Sequence, residues 1–231
     1  MAIIVQEPQV RELKLSEAVL AYASVLLLSR EDVKMLKVKD AYALHKVVYG
    51  LFEDVRSEAE KVAGKSSGIL YADKGGDIHT RQILLLSNRK PHQTPQFGRV
   101  KTTPIFMGFA NHNEYAFEII INPAKRNNTT GKIVSIRGRE EIEQWFIKRA
   151  NESYGFKVNP MSIQTEQMSV QTFEKSGQAV THSSATIKGQ LIVTDRKFFV
   201  NSFTQGLGRG KSFGFGLLQI VPLLSAQPPL R

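Results

Sequence analysis

Apolar residues recur along this chain with two periods, and the period changes from segment to segment. Ala18–Leu28 is a nearly unbroken apolar run, the pattern of a buried strand. Ser29–Lys39 is a charged connection. Asp40 then caps a helix expected to reach about Val55, with Ala41, Leu44, Val48, Leu51, Phe52 and Val55 on one face. Gly68–Ala72 and Gln82–Ser87 read as strands. Asn88–Pro104 is rich in Pro, His and basic residues and reads as a loop. Glu114–Asn122 alternates, placing Tyr115, Phe117, Ile119 and Ile121 on one side of a strand. Pro123–Gly138 reads as a basic loop. Arg139–Glu152 reads as a helix with Ile142, Trp145, Phe146 and Ala150 inward. Phe156–Phe173 and Ala185–Thr194 read as strands, separated by a polar, flexible Glu174–Ser184. Arg196–Gln205 is a short helix with Phe199 and Phe203 inward, and the apolar run Phe215–Leu224 follows as a last strand.

The second half therefore has the order β-α-β-β-α-β, which is ferredoxin-like. The first half begins β-α-β-β and then loses its pattern. The expected fold class is α+β, with two tandem ferredoxin-like (βαββαβ, RRM-like) domains over 18–110 and 111–231. The boundary falls at Gly108–Asn113, where Asn-His-Asn interrupts the apolar pattern. Residues 1–17 are mixed and polar and read as an N-terminal extension.

Composition narrows the partners. Lys and Arg number 31 against 21 Asp and Glu, a formal net charge of +10, which favours a polyanion such as nucleic acid or an anionic membrane. The longest apolar run is too short to span a bilayer. The absence of cysteine excludes disulfides and Cys-based zinc sites, and is compatible with a cytoplasmic protein. No secretory signal pattern is present at the N-terminus.

The densest chemical signal is Gly206-Leu207-Gly208-Arg209-Gly210-Lys211-Ser212-Phe213-Gly214-Phe215-Gly216, five glycines of which interleave with two cations. Its backbone amides fit a phosphate cradle, and its glycines equally fit a tight helix end before a softened strand. A P-loop needs four residues between its first glycine and Gly-Lys-Ser; here there are three, and the loop leaves a helix rather than a strand. Of the five histidines, none has metal-ligand spacing, and His79, His92, His112 and His182 read as solvated. His45 differs. Tyr42, His45 and Tyr49 form a stripe beside the apolar face of the first helix. Such a histidine suits general acid–base work, and it also suits a helix-boundary hydrogen bond without chemistry. Lys125, Arg126, Lys132, Arg137 and Arg139 cluster between a strand and a helix, and Lys148 and Arg149 follow on that helix.

Three blocks together resemble the CasE family of CRISPR endoribonucleases, within the repeat-associated (RAMP) superfamily. They are Tyr42-x-x-His45-Lys46; Asn122-Pro123-Ala124-Lys125-Arg126 with Thr130-Gly131-Lys132 and the Trp145 helix; and the glycine stretch, which fits a G-φ-G-x₅-G-φ-G loop through Gly206, Gly208, Gly214 and Gly216, with Gly210 between. The resemblance implies cleavage of CRISPR precursor RNA within its repeats, at a stem-loop, without metal or cofactor. His45, Tyr42 and Lys46 would be catalytic. Lys125, Arg126, Lys132, Arg137, Arg139, Arg149, Arg209 and Lys211 would bind RNA. The glycine loop would support the active-site helix or touch RNA. The implied partners are the repeat RNA and a multi-subunit CRISPR effector complex, with no membrane. A non-cleaving RAMP protein that binds or caps guide RNA fits the charge, loop and fold equally. A small-molecule or ribosome-associated ferredoxin-like module fits the fold alone.

Overall fold

The computed structural model describes residues 17–175 and 178–223. Of the expected N-terminal extension, only Glu17 falls within it, and Leu224 at the expected end of the last strand lies outside.

Strand β1 (Val19–Ser29) leads into a short helix, α1 (Arg30–Met35). The charged stretch expected to be a plain connection folds because Ser29 and Asp32 cap each other's backbone reciprocally. Helix α2 (Ala41–Tyr49) begins as expected, with the Asp40 carboxylate accepting from the Ala43 amide at 2.7 Å. It stops at Gly50. Leu51 and Phe52 continue as a tight turn and stay buried, whereas Val55, expected on the apolar face, is 66% exposed. A one-turn helix, α3 (Glu58–Val62), follows from a second capping box, Ser57 with Glu60.

Strands β2 (Ile69–Gly76), β3 (Thr80–Ser87) and β4 (Arg99–Phe106) complete the first sheet. β4 corrects the reading of 88–104 as loop. Pro104 weakens the strand pattern in sequence, but β4 is an edge strand, where a missing N–H is tolerated. The sheet order is β2-β3-β1-β4, antiparallel throughout. This is the ferredoxin-like order, except that residues 88–98 carry no second helix.

The second half starts with β5 (Glu114–Ile121), where Tyr115, Phe117, Ile119 and Ile121 are buried as the alternation requires. β6 (Ala124–Arg126) and β7 (Ile133–Ser135) form a small hairpin inside the expected basic loop. Asn127 Oδ1 accepts from the Thr129 and Thr130 amides at 2.9 Å and closes the turn. Helix α4 (Arg139–Arg149) runs on through a π-helical turn, Ala150–Tyr154. It buries Ile142 and Phe146, while Trp145 sits half-buried at its rim.

The expected strand 156–173 is two pieces, β8 (Phe156–Val158) and β9 (Gln164–Lys175). Asn159-Pro160 breaks it, with Asn159 Oδ1 accepting from Met161 N at 3.0 Å. Both pieces pair with β10 (Gln178–Val193), so the stretch read as flexible is largely strand. Its polar sequence hid it, because no apolar alternation marks it as a strand. Helix α5 (Arg196–Gln205), capped by Asp195, and strand β11 (Gln219–Pro222) are the last elements among the described residues. The second sheet runs β11-β5-β10, with β8 and β9 both on β10, again a ferredoxin-like order.

Two tandem ferredoxin-like domains result. One face of the first sheet packs Leu26, Leu28, Ile69, Tyr71, Ile83 and Leu85 beneath Leu44 and Val48 of α2. Its other face sets Ala21, Leu70, Ala72 and Leu86 against Phe203 of α5 and Leu217. The glycine stretch is thereby trapped between the two domains.

Candidate functional site

Helix α2 buries Leu44 and Val48, so the neighbouring stripe of Tyr42, His45 and Tyr49 lies half-buried along its flank. The His45 ring stacks on Tyr42, with centroids 6.1 Å apart and planes 10° apart, and meets Tyr49 at 4.1 Å. Lys46 Nζ lies 4.5 Å from the Tyr42 ring centre, a cation–π contact at the exposed side of the helix. Tyr49 Oη is 3.0 Å from Ser67 Oγ, which ties the stripe to the start of β2.

The glycine stretch comes to this flank from the other domain. Its Lys211–Phe213 turn is bounded by Gly210 (φ +77°) and Gly214 (φ +88°), both in the left-handed region. Tyr71 Oη donates to the Ser212 carbonyl at 3.0 Å, from one domain to the other. At the base, Leu207 N donates to Gly216 O at 2.9 Å and Gly216 N to Ile120 O at 2.7 Å, fastening the loop to β5. Held in this way, the Phe213 ring lies 6.0 Å from His45.

A groove of about 800 Å³ opens along the second domain, between the β6–β7 hairpin and α4. Lys125, Arg126, Arg149 and Arg209 line it, together with Lys148, Trp145 and the carboxylates of Glu141 and Glu152. Gly208 reaches it too, so the same loop borders the groove at one end and His45 at the other. Other basic candidates stand elsewhere. Lys132 and Arg137 are exposed but do not line the groove, and Arg139 donates to the Thr165 carbonyl. Lys211 Nζ donates to the Gln205 carbonyl at 2.7 Å, closing the C-terminal end of α5, and burial lowers its pKa. Lys148, named with Arg149 in the basic cluster but left out of the expected RNA-binding set, lines the groove as well.

His182 is the residue sequence reasoning misplaced. It is half-buried on β10, not solvated, and burial lowers its pKa. The Asn122 amide nitrogen lies 2.7 Å from its Nδ1, and its ring faces Phe213 at 5.5 Å and Phe215 at 5.7 Å. Strand pairing carries it there, and a polar sequence context offered no signal. His79, His92 and His112 are exposed as expected. Among the described residues, no three His, Asp or Glu side chains converge in a metal-binding arrangement, and no helix is long and apolar enough to cross a membrane.

A family model described as CRISPR associated protein matches residues 21–222. The CRISPR-associated endoribonuclease Cse3 of Thermus thermophilus is 29% identical over 120 residues, 46% of this chain and 54% of that protein. The CRISPR system Cascade subunit CasE of Escherichia coli K12 is 24% identical over 210 residues, 86% of this chain and all of that protein. A solved structure of CRISPR endoribonuclease Cse3 bound to a 19-nucleotide RNA superposes with a TM-score of 0.73 at 20% identity, covering 87% of this chain and 99% of the other.

Proposed function

The chain belongs to the CRISPR-associated protein family, and from that premise we propose that it is an endoribonuclease that cuts CRISPR precursor RNA within its repeats. The observation that carries the reading is the meeting of His45, with Tyr42 stacked beside it, and the glycine loop at the seam between the domains, the same loop bordering a cation-lined groove. Relatives named as a CRISPR endoribonuclease and a Cascade subunit support it, as does a similar structure solved with RNA.

The groove holds the phosphate backbone of the repeat stem through Lys125, Arg126, Arg149 and Arg209, which suits A-form RNA, read largely by shape and backbone. The ribose O2′ loses its proton and attacks the adjacent phosphorus. The P–O5′ bond breaks, O5′ takes up a proton, and a 2′,3′-cyclic phosphate remains. His45 moves a proton in this exchange, Tyr42 orients it, and Lys46 offsets charge on the phosphorane. No metal takes part. Glycines 206, 208, 210, 214 and 216 shape the support, and Lys211 serves the loop more than the RNA. The partners are the repeat stem-loop and a multi-subunit guide-RNA complex in the cytoplasm.

His45→Ala is expected to slow cleavage of a repeat RNA by about 10²–10⁴ while RNA affinity stays nearly unchanged. EDTA is expected to leave the wild-type rate alone. Wild-type cleavage rates in His45→Ala would remove His45 from the chemistry, and loss of cleavage on chelation would indicate a metal nuclease. Intact RNA retained by the wild-type protein would favour a binding or capping role.

A further inference from the structure

We infer that His182 is a positioning residue for His45, acting through the ring of Phe213. The inference rests on the endoribonuclease reading above. The geometry is a relay of three rings from two domains. His45 on α2 meets Phe213 at 6.0 Å with 47° between planes, and Phe213 meets His182 on β10 at 5.5 Å with 36°. Phe213 thus touches both histidines.

The backbone of Phe213 is fixed by other means. Left-handed glycines flank its turn, and Tyr71 holds the Ser212 carbonyl. A fixed backbone still leaves the side chain a choice of rotamers. Contacts on the ring make that choice, and His182 supplies one of them. His182 is itself well held. Asn122, just past the end of β5, sets its amide nitrogen 2.7 Å from Nδ1. Phe215 meets the same ring edge-on at 68°. Burial favours the neutral imidazole, so His182 adds no like charge when His45 holds a proton.

Asn122 also lines the cation-lined groove. The relay therefore starts at the proposed RNA-binding surface and ends at the proposed proton-transfer group. Removing His182 takes one ring contact from Phe213 and loosens the hold of that ring beside His45. Small misplacements of reacting groups are costly to rate and need not affect binding.

The test uses the full-length protein, a repeat RNA and single-turnover conditions. His182→Ala is expected to slow cleavage about 10–100-fold while RNA affinity holds. His182→Phe, which keeps a ring against Phe213, is expected to recover most of that rate. Placing His182→Ala in the His45→Ala background should cause no further loss. In ¹³C-histidine-labelled protein without RNA, the His45 ring resonance is expected to move in both His182→Ala and Phe213→Leu. An unmoved His45 resonance overturns the inference. So does a Phe variant as slow as the Ala variant, or a full loss in the His45→Ala background. Wild-type protein that binds repeat RNA and leaves it intact instead overturns the endoribonuclease reading, while the resonance shift still reports the contact separately.

Discussion

Gly208 and Gly216 share a left-handed backbone angle, φ +71° and +83°, in very different surroundings. A Cβ on Gly208 would meet nothing within 4 Å, whereas one on Gly216 would lie 2.2 Å from the Leu207 carbonyl oxygen. Gly208→Ala is therefore expected to cost about 1 kcal/mol, the backbone strain alone. Gly216→Ala is expected to cost about 3 kcal/mol or more, because the loop base must shift as well. Urea melts of the two variants decide the point, and equal losses would contradict it. The spacing of these glycines was readable in the sequence, but which of them tolerates a side chain was not. Residue-level chemistry divided the same way. The Tyr42–His45 stripe follows from helix periodicity, and the structure leaves it half-buried at a rim. His182 and Phe213 gave no such sign, because their meeting depends on strand pairing and on a turn fixed from the other domain.

The glycine loop as an element holds two cations with different work. Arg209 is exposed and lines the groove, while Lys211 caps the end of α5. Arg209→Ala is expected to weaken RNA binding and to lower the slope of log affinity against log salt by about one released counterion. Lys211→Ala is expected to keep that slope and to cost about 1 kcal/mol of stability, the worth of one hydrogen bond. RNA titrations across a salt series check both, and an equal loss of slope would put Lys211 on the RNA. Elements with a strong period were legible: β1, β5, α4 and α5 lie close to their expected positions. Elements with polar or proline-bearing sequences were not. β4 carries Pro104 at an edge, the β6–β7 hairpin is nearly all exposed, and the early part of β10 has few apolar residues. Each is paired with a neighbouring strand, which its own sequence pattern does not announce.

At the scale of the molecule, the two domains share a core. Ala21, Leu70, Ala72 and Leu86 of the first meet Phe203 and Leu217 of the second, and Lys74 of β2 pairs with Glu118 of β5. Phe203→Ala is expected to cost about 3–5 kcal/mol and to lower the stability of both domains together. Far-UV circular dichroism and the fluorescence of Trp145, the single tryptophan, should report coincident transitions in wild type and variant. Separate transitions would show that the shared core does not couple the domains. By itself the sequence determined the α+β class, the ferredoxin-like order of the second half, the helix that presents His45 and the loop with its glycine spacing. Those are local facts, set by periodicity, capping and backbone freedom. Tertiary structure alone decided which cations share a groove, that Lys211 faces a helix end, and that His182 reaches Phe213. The Tyr71–Ser212 hydrogen bond, between residues 141 positions apart, shows why. Convergence of distant side chains depends on sheet pairing and on how two domains pack, and no local pattern in the chain encodes either.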